Sequence, residues 1–444
     1  MAPQPRNLLQ SLLKDALAEI PPGRSIWVAL SGGLDSSLLL TLAAAVCQQA
    51  SRPLRAIHIN HGLQAAAATF EEHCNTLCER LDVPLTVVNV AVDAQGEGVE
   101  GAARSARYAA FFATIPVGNT LWLAQHQDDQ AETFLLAALR GSGTRGLASM
   151  PYRRDAEGVT LVRPWLTMRR VSLEAAAQSL DLTWCEDPTN TDLNFDRNRL
   201  RHSVLPAIET RWPDAAGALA QSARHAGEAD QLLVEYAGQE LQTLLSGNRS
   251  IGAAALSARS RPRQRLLVRT LCQQLSLPTP PQKRLESLLD QLKAKPDAEV
   301  CVEWPGAQAR VWRQRLYLIA PLETLPPWQA SWDGLALLKT PTGPLGWQVA
   351  LSQSSSQPRS QLCSQLRSQL LRVTWRQGGE VIQLPKRGRR DLKRLLQEVD
   401  MPPWEREQLV VIMQADACIG VIDPLGTLLW QAEGFVFSRL SPPV

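Results

Sequence analysis

A loop of small and hydroxyl residues has the composition of a phosphate-binding site. It reads L-S-G-G-L-D-S-S over residues 30–37, after an apolar run at residues 25–30 and before a strong helix pattern that starts at Ser36. The run predicts a buried parallel strand, and hydroxyl residues are suited to capping the helix. Gly32 and Gly33 permit a tight turn close to a ligand, and a helix N-terminus favours anions. The loop therefore predicts a phosphate or pyrophosphate site.

This loop differs from the two common nucleotide-binding loops. It has no Lys, lacks the Walker A spacing and does not match G-x-G-x-x-G. Residues 31–36 instead resemble the S-G-G-x-D-S loop of the N-type ATP pyrophosphatases, the PP-loop family. That resemblance implies an enzyme that cuts ATP between the α and β phosphates, passes AMP to a substrate oxygen and releases pyrophosphate. An ordinary glycine turn before a helix is the alternative.

Acidic residues gather after a later apolar run. Residues 125–133 read Q-H-Q-D-D-Q-A-E-T and place Asp128, Asp129 and Glu132 at the start of a predicted helix. Acidic residues in a first helical turn commonly do no more than stabilise the helix dipole. Two adjacent carboxylates beside His126 are more than stabilisation of the helix dipole requires. They predict a site for Mg²⁺ on the ATP phosphates or for a cationic substrate.

A further predicted helix carries two arginines. Glu100, Arg104, Arg107 and Tyr108 are spaced to lie along one helical side. Such a Glu/Arg pair is usually a solvated surface pair. The Ala- and Phe-rich sequence around it instead favours a helix packed on the sheet, with its arginines facing phosphate.

The elements that must bring these side chains together alternate between strand and helix. Candidate strands cover residues 25–30, 54–60, 85–90 and 120–124. The pattern predicts an α/β fold with a doubly wound parallel sheet, whose ligands bind at the carboxyl ends of the strands. His58, Asn60 and His61 end the second strand, so we expect them beside the pyrophosphate loop. A hydrogen-bonded structural role is the alternative for His58.

Composition limits the class of protein. The 444 residues predict two or three domains, and a net charge of +3 does not by itself indicate a nucleic-acid partner. The 8 cysteines form no C-x-x-C pair, which argues against a disulfide framework, a zinc site or an iron–sulfur site. No run reaches the roughly 18 apolar residues of a membrane span, and the amphipathic N-terminal segment does not read as a signal peptide. We therefore expect a reduced, cytoplasmic protein without a membrane partner; nothing in the sequence indicates an oligomeric state.

Seven motifs in order narrow the resemblance. They are S-G-G-L-D-S (31–36), H-I-N-H-G-L (58–63), E-G-A-A-R-x-x-R-Y (100–108), D-D-Q-A-E-T (128–133), R-G-S-G-T-R-G-L-A-S-M (140–150), R-P-W-L (163–166) and D-P-T-N followed by R-N-R-L-R (187–201). Together they resemble the tRNA(Ile)-lysidine synthetase family over about the first 205 residues, with weaker similarity beyond. Gln125 departs from the family, which usually has a His there.

The resemblance implies a ligase that uses ATP and Mg²⁺ to join L-lysine to tRNA(Ile) with a CAU anticodon. ATP adenylates the oxygen at position 2 of the wobble cytidine, and the lysine side-chain amine displaces AMP to give lysidine. The implied ATP-binding residues are Ser31, Gly32, Gly33, Leu34, Asp35, Ser36, His58, Asn60, His61 and His126. The implied catalytic residues are Asp35, Arg104, Arg107, Asp128, Asp129 and Glu132, with Asp35, Asp128 and Asp129 as candidate Mg²⁺ ligands.

Basic clusters predict the tRNA contacts. They are Arg140 and Arg145 in a glycine-rich loop, Arg197, Arg199 and Arg201 in a strip balanced locally only by Asp196, and Lys386, Arg387, Arg389, Arg390, Lys393 and Arg394 near the C-terminus. The glycines predict a broken helix and a loop that closes over substrate, with a plain surface connection as the alternative. A solvated helix start is the alternative for the last cluster. Residues 260–269 are also basic, and either RNA contact or a solvated helix face explains them.

We predict four regions. They are a catalytic domain (1–211), a mostly helical tRNA-binding domain with a β-hairpin around Pro305 and Gly306 (212–325), a linker (326–370) and a small α+β tRNA-binding domain (371–444).

Other functions stay open at this point. A PP-loop tRNA thiolase usually needs paired cysteines, and a glutamine-dependent synthetase needs a domain with a nucleophilic Cys. A non-catalytic RNA-binding module has no use for the loop together with the acidic pair. Pyrophosphate release from ATP and tRNA, with and without lysine, discriminates among them.

Overall fold

The structure is a computed structural model that describes residues 5–61, 67–91, 99–245, 250–293, 300–322, 325–334, 337–341, 343–345, 347–351, 371–384, 388–423, 426–433 and 435–439. The chain forms two compact units, Met1–Tyr236 and Ala237–Val444. Their division lies inside a long helix, whereas the sequence predicted a boundary after residue 211.

The first unit is an α/β domain. Its elements are α1 (Pro5–Ala18), β1 (Ile26–Ala29), α2 (Leu34–Gln49), β2 (Leu54–Asn60), α3 (Ala67–Leu81), β3 (Leu85–Asn89), α4 (Val99–Thr114), β4 (Thr120–Trp122), α5 (Gln127–Leu139), α6 (Thr144–Leu147), β5 (Arg153–Ala156), β6 (Val159–Val162), α7 (Arg170–Gln178), α8 (Asp196–Arg199), α9 (Leu205–Glu209) and α10 (Ala215–Leu244). A π-helical turn, Leu200–Val204, joins α8 to α9.

The sheet has the order β3-β2-β1-β4-β6-β5. All neighbours are parallel except the edge pair β5 and β6, a hairpin that the sequence analysis did not predict. The strand alternation places Val28 in a core with α1, α2, α3 and α7, and Trp27 in a core with α4. Because helices cover both faces, the predicted doubly wound parallel sheet is confirmed.

The second unit combines helices with small sheets. Its elements are β7 (Ser250–Gly252), α11 (Ala253–Ser257), α12 (Arg261–Gln274), α13 (Gln282–Gln291), β8 (Val300–Trp304), β9 (Ala307–Trp312), β10 (Arg315–Ile319), β11 (Gln329–Trp332), β12 (Leu338–Thr340), β13 (Gly343–Leu345), β14 (Trp347–Leu351), β15 (Leu371–Trp375), β16 (Val381–Leu384), β17 (Gly388–Asp391), α14 (Leu392–Glu398), α15 (Pro403–Arg406), β18 (Val410–Gln414), β19 (Ala417–Ile422), β20 (Leu428–Gln431) and β21 (Phe435–Arg439). The predicted hairpin is present as β8 and β9, and the sheet β7-β10-β9-β8 extends it.

The linker prediction was wrong for its first half. Strand β11 is an edge of the sheet β11-β15-β18-β19-β20, and β14 pairs with β21. Trp332 and Val349 lie in the same core as residues of β15 and β18. These short strands bury apolar side chains against partners far along the chain. Because their own sequence is rich in Pro and Gly, it does not predict strands. The Gln/Ser-rich run at residues 352–369 lies outside the described residues.

Three arginines of the basic run at residues 260–269 are ion-paired within the second unit. Arg261 and Arg265 are ion-paired with Glu286, and Arg263 with Glu240. These contacts favour the alternative of a helix face over RNA contact. Among the described residues, no helix is both long and apolar enough to cross a membrane.

Candidate active site

The glycine-rich loop lies between β1 and α2, as predicted. Helix α2 begins at Leu34 with Gly33 as its N-cap and no side-chain cap, so the predicted capping by hydroxyl residues was wrong. The Ser36 hydroxyl oxygen instead lies 3.1 Å from the Ser31 backbone N, 3.0 Å from the Ser31 Oγ and 3.1 Å from the Gly33 carbonyl oxygen. The serines thus close the loop, while the first backbone N–H groups of α2 have no intrahelical acceptor and can bind an anion.

Position 32 of this loop requires glycine. Its φ is +88°, and a Cβ at this position would lie 3.0 Å from the Cδ1 of Phe70 in α3. Its carbonyl oxygen accepts a hydrogen bond from the Cys185 backbone N at 2.9 Å. Gly33 has a φ of −78° and carries no such requirement.

His126 lies at the centre of three carboxylates. Its side chain is 1% exposed; Nε2 lies 3.7 Å from Asp35 Oδ2 and 3.5 Å from Asp129 Oδ2, and Nδ1 lies 3.7 Å from Asp128 Oδ2. Burial lowers the pKa of His126, but Asp128, Asp35 and Asp129 together raise it to about 10. His126 is therefore a buried cation at neutral pH. Among the described residues, the buried Oδ1 of Asp35 has no hydrogen-bond partner.

Asp128 faces α7. Its Oδ2 accepts a hydrogen bond from the Arg170 backbone N at 2.8 Å, and its Oδ1 accepts one from Arg169 Nε at 3.3 Å. Burial opposes ionisation, but His126, the Arg170 N–H and Arg169 hold the pKa of Asp128 well below its usual range. Arg169 also forms an ion pair with Glu209 at 2.8 Å. Asp128 therefore joins the start of α5 to α7 and, through Arg169, to α9.

Asp129 and Glu132 face the segment that contains α8 and the π-helical turn. Arg197 donates from Nε to Glu132 at 2.7 Å and from an η nitrogen to Asp129 at 2.9 Å. Arg201 donates from Nε to Glu132 at 2.6 Å and from an η nitrogen to Asp129 at 2.9 Å. Asp196 is the one local carboxylate in the sequence of this strip, but the carboxylates that pair with Arg197 and Arg201 lie 65–72 residues earlier in the chain.

This network changes the predicted roles of its members. Glu132 is fully buried beneath two guanidinium groups, so it is not an open site for a cationic substrate or a proton. Arg197 and Arg201 are engaged with carboxylates rather than left for tRNA phosphates. Burial raises the pKa of Asp129, but His126 and the two arginines outweigh it and lower that pKa overall.

The arginines of α4 are stacked around an aromatic ring. The Cζ atoms of Arg104 and Arg107 lie 5.1 Å and 5.9 Å from the ring centre of Tyr108, as expected for residues on one helical side. The side chain of Glu100 lies outside the described residues. Burial lowers the pKa of Arg163, and Tyr108 opposes that effect.

Gln125 has a structural partner. Its Oε1 accepts a hydrogen bond from Nε of the buried Arg163, and Arg163 also donates to the Pro151 carbonyl oxygen at 2.8 Å. Gln125 therefore holds a buried cation in place. Arg163 and Arg169 were not predicted as site residues, because neither has a local sequence pattern that reveals a distant partner.

The polar residues at the end of β2 have unequal roles. His58 is buried, and its Nδ1 lies 2.8 Å from the Leu30 carbonyl oxygen, which supports the structural alternative. Asn60 donates to Glu71 at 2.9 Å. His61 Nδ1 is buried without a hydrogen-bond partner among the described residues, and burial, Arg107 and His58 lower the pKa of His61.

The remaining predicted tRNA contacts are surface residues where they are described. Arg140, Arg145, Arg199, Arg389, Arg390, Lys393 and Arg394 are exposed. The loop after α5 contains the short helix α6, including Gly146, so the prediction that glycines exclude a helix there was wrong. Its ends are fixed by Thr144 bonded to Asp230 and by Gln130 bonded twice to the Met150 backbone. Lys386 and Arg387 lie outside the described residues.

Three family profiles match successive parts of the chain. They are described as PP-loop domain over residues 4–208, TilS substrate binding domain over residues 253–317 and TilS substrate C-terminal domain over residues 371–434.

Full-length relatives agree with these profiles. The chain is 41% identical to "tRNA(Ile)-lysidine synthase" from Xanthomonas axonopodis pv. citri (strain 306), over 93% of this chain and 92% of that protein. It is 40% identical to the protein of the same name from Pseudomonas putida KT2440, over 89% and 91%, and 38% identical to that from Alkalilimnicola ehrlichii MLHE-1, over 96% and 95%.

Proposed function

The chain belongs to the tRNA(Ile)-lysidine synthase family, and we propose that it joins L-lysine to position 2 of the wobble cytidine in the CAU anticodon of tRNA(Ile). ATP is cleaved to AMP and pyrophosphate, and an adenylated cytidine is the intermediate. We expect this reaction in the cytoplasm. The observation that carries the proposal is the Ser-closed loop before α2, with an unpartnered Asp35 oxygen beside it.

The triphosphate of ATP binds at the N-terminus of α2. Residues 31–36 offer backbone N–H groups and the Ser31 hydroxyl, which suits the β and γ phosphates that leave as pyrophosphate. Arg104 and Arg107 stabilise negative charge on the α phosphate during adenylation. His61 and Asn60 line the end of β2 on the nucleotide side, while His58 holds the end of β1.

Asp35 is the residue best suited to hold Mg²⁺. Its Oδ1 is buried and unpartnered among the described residues, which a hard cation would satisfy. Asp128 and Asp129 already accept hydrogen bonds from backbone and arginine donors, so we assign them a supporting part in that site. When bound, Mg²⁺ offsets negative charge on the phosphates.

The lysine site is formed by Asp129, Arg197 and Arg201, and the buried Glu132 holds the two arginines in place. Free lysine carries both ammonium and carboxylate groups, and this cluster offers both complementary charges within one network. On binding, lysine would take the place of partners in these ion pairs, its ammonium group at a carboxylate and its carboxylate at an arginine. Because the pKa values of Asp128 and Asp129 are lowered, these carboxylates suit cation binding better than proton transfer.

The test measures pyrophosphate release and lysidine formation. Purified enzyme is incubated with ATP and an unmodified tRNA(Ile) transcript, with and without lysine, and the nucleosides are analysed by mass spectrometry. We expect lysidine only with lysine and only with a CAU anticodon. Asp35→Ala should abolish pyrophosphate release, and Asp129→Ala should remove lysine incorporation.

Glu228→Gln is the matched control, because Glu228 is 56% exposed and, in the part of the chain that the structure describes, forms an ion pair only with Arg224 on its own helix. It should leave both activities unchanged. A wild-type enzyme that hydrolyses ATP without tRNA and forms no lysidine would refute the proposal and point to another PP-loop reaction.

A further inference from the structure

Arginines and tryptophans meet in the second unit at residues that the proposed function does not use. We define the Arg–Trp junction as Arg310, Trp312, Arg313, Trp404 and Arg406. Arg310 and Trp312 belong to β9, and Trp404 and Arg406 to α15. Because the two elements are about 90 residues apart in the sequence, only the fold brings them together.

Stacking fixes the guanidinium groups of the junction. The Cζ atoms of Arg313 and Arg406 lie 4.8 Å and 5.7 Å from the ring centre of Trp312. The Cζ of Arg310 lies 5.4 Å from the ring centre of Trp404. These distances are within the cation–π range. Such stacking leaves the edges of each guanidinium group, where its N–H donors lie, directed away from the ring.

Positive charge at the junction is only partly balanced. Arg313 forms an ion pair with Asp400. Arg310 Nε donates to Gln308 Oε1 at 3.1 Å and Arg406 Nε to the Met401 carbonyl oxygen at 2.7 Å, and both acceptors are uncharged. Neither Arg310 nor Arg406 has a carboxylate ion-pair partner in the part of the second unit that the structure describes.

Burial makes this imbalance costly for Arg406. The residue is only 8% exposed, and burial, together with Arg376 and Arg313, lowers its pKa. A buried charge without an opposite charge is destabilising unless a ligand supplies one. The junction is open to such a ligand, because Arg313 is 49% exposed and Trp312 is only half-buried.

We infer that the Arg–Trp junction binds a backbone phosphate of the tRNA substrate. A phosphate provides the missing negative charge, and its oxygens match the fork of guanidinium donors. The partly exposed ring of Trp312 offers an apolar face to the adjoining ribose or base. The inference rests on the proposed function, which supplies the polyanion, and it names a contact outside the basic clusters recognised from the sequence.

The test measures how tRNA affinity depends on salt. Full-length enzyme binds an unmodified tRNA(Ile) transcript between about 50 and 200 mM salt, and log K is plotted against log[salt]. Arg406→Gln and Arg310→Gln should each weaken binding about tenfold and reduce the slope by about 1. Arg263→Gln is the control, because Arg263 already pairs with Glu240 at 2.8 Å and should leave the slope unchanged.

Further measurements separate phosphate binding from a structural role. Arg406→Lys keeps the charge and should retain the slope, and all variants should keep the wild-type kcat at saturating tRNA. Arg310→Gln is the second variant if Arg406→Gln lowers the Tm, because Arg310 is half-buried and, among the described residues, its side chain donates a hydrogen bond only to Gln308. Replacing chloride by inorganic phosphate at equal ionic strength should reduce the tRNA affinity of the wild type more than that of Arg406→Gln, because free phosphate competes for the junction only where Arg406 is present.

Two results would overturn the inference. Unchanged slopes for Arg310→Gln and Arg406→Gln would make the junction only a structural connection between β9 and α15. An equal loss of tRNA affinity in inorganic phosphate for the wild type and Arg406→Gln would show that phosphate does not compete with tRNA at the junction. Lysidine formation by the wild type is measured first, so a failure of the proposed function is recognised separately.

Discussion

Replacing Glu132 by Gln tests whether this residue organises the lysine site or takes part in proton transfer. Glu132 is 1% exposed, and its carboxylate accepts hydrogen bonds from Arg197 Nε at 2.7 Å, Arg201 Nε at 2.6 Å and an η nitrogen of Arg201 at 3.0 Å. Gln keeps the shape of the side chain. It removes the charge and places an NH₂ group against guanidinium donors, so at least one hydrogen bond is lost.

The magnitude follows from the number of contacts and their exposure. A hydrogen bond to a charged group contributes about 1.5–3 kcal/mol, and breaking a fully buried ion pair costs about 3–5 kcal/mol. Arg197 and Arg201 are 28% and 23% exposed and keep Asp129 as a partner, which reduces the cost. We therefore expect Glu132→Gln to lower the free energy of unfolding by about 2–3 kcal/mol.

The assay combines stability, hydrogen exchange and kinetics. Amide exchange should rise in α8 and the π-helical turn, because these elements lose an anchor to α5. The KM for lysine should rise at least about tenfold, while the KM for ATP changes little. Glu174→Gln, which removes a 43% exposed partner of Arg170, is the control and should change none of these quantities. Unchanged exchange and stability, with a loss confined to kcat, would refute this reasoning and return Glu132 to a proton-transfer role.

Three other perturbations test neighbouring parts of the site. His126 has its pKa raised from 6.5 to about 10, so the stability it contributes is complete below pH 6.5 and is lost as pH rises toward 10. Chemical denaturation between about pH 6.5 and 8.5 should show a fall of roughly 2–3 kcal/mol, and His126→Asn should remove most of it; an equal fall in the variant would contradict the assignment. Gly32→Ala should cost about 1–3 kcal/mol and weaken ATP binding, because φ is +88° and the new Cβ would lie 3.0 Å from Phe70; Gly33→Ala, whose Cβ has no neighbour closer than 3.7 Å, should be nearly neutral in thermal unfolding. Arg163→Met should lower the free energy of unfolding by about 1–3 kcal/mol, since Gln125 and Pro151 lose a buried donor; a double-mutant cycle with Gln125→Leu should be non-additive, and additive effects would show that the pair is not coupled.

The sequence alone determined the first four strands of the catalytic unit and the position of its glycine-rich loop. Alternating apolar runs and helix patterns reveal burial and local backbone conformation, so β1 to β4, the glycine-rich turn and the acidic start of α5 were all predictable. The motifs also indicated the family, because they preserve both residue type and order. These are local signals that need no knowledge of distant partners.

Only the tertiary structure decided which charges meet. Arg197 and Arg201 looked like a free basic strip, yet they lie against Asp129 and Glu132, and Asp128 turns instead to the start of α7. The sequence of β11 and β14 predicts a linker, because their partners, β15 and β21, follow much later in the chain. Pairing across such separations depends on how the elements pack, and hydrophobic periodicity carries no record of which polar side chains that packing brings together.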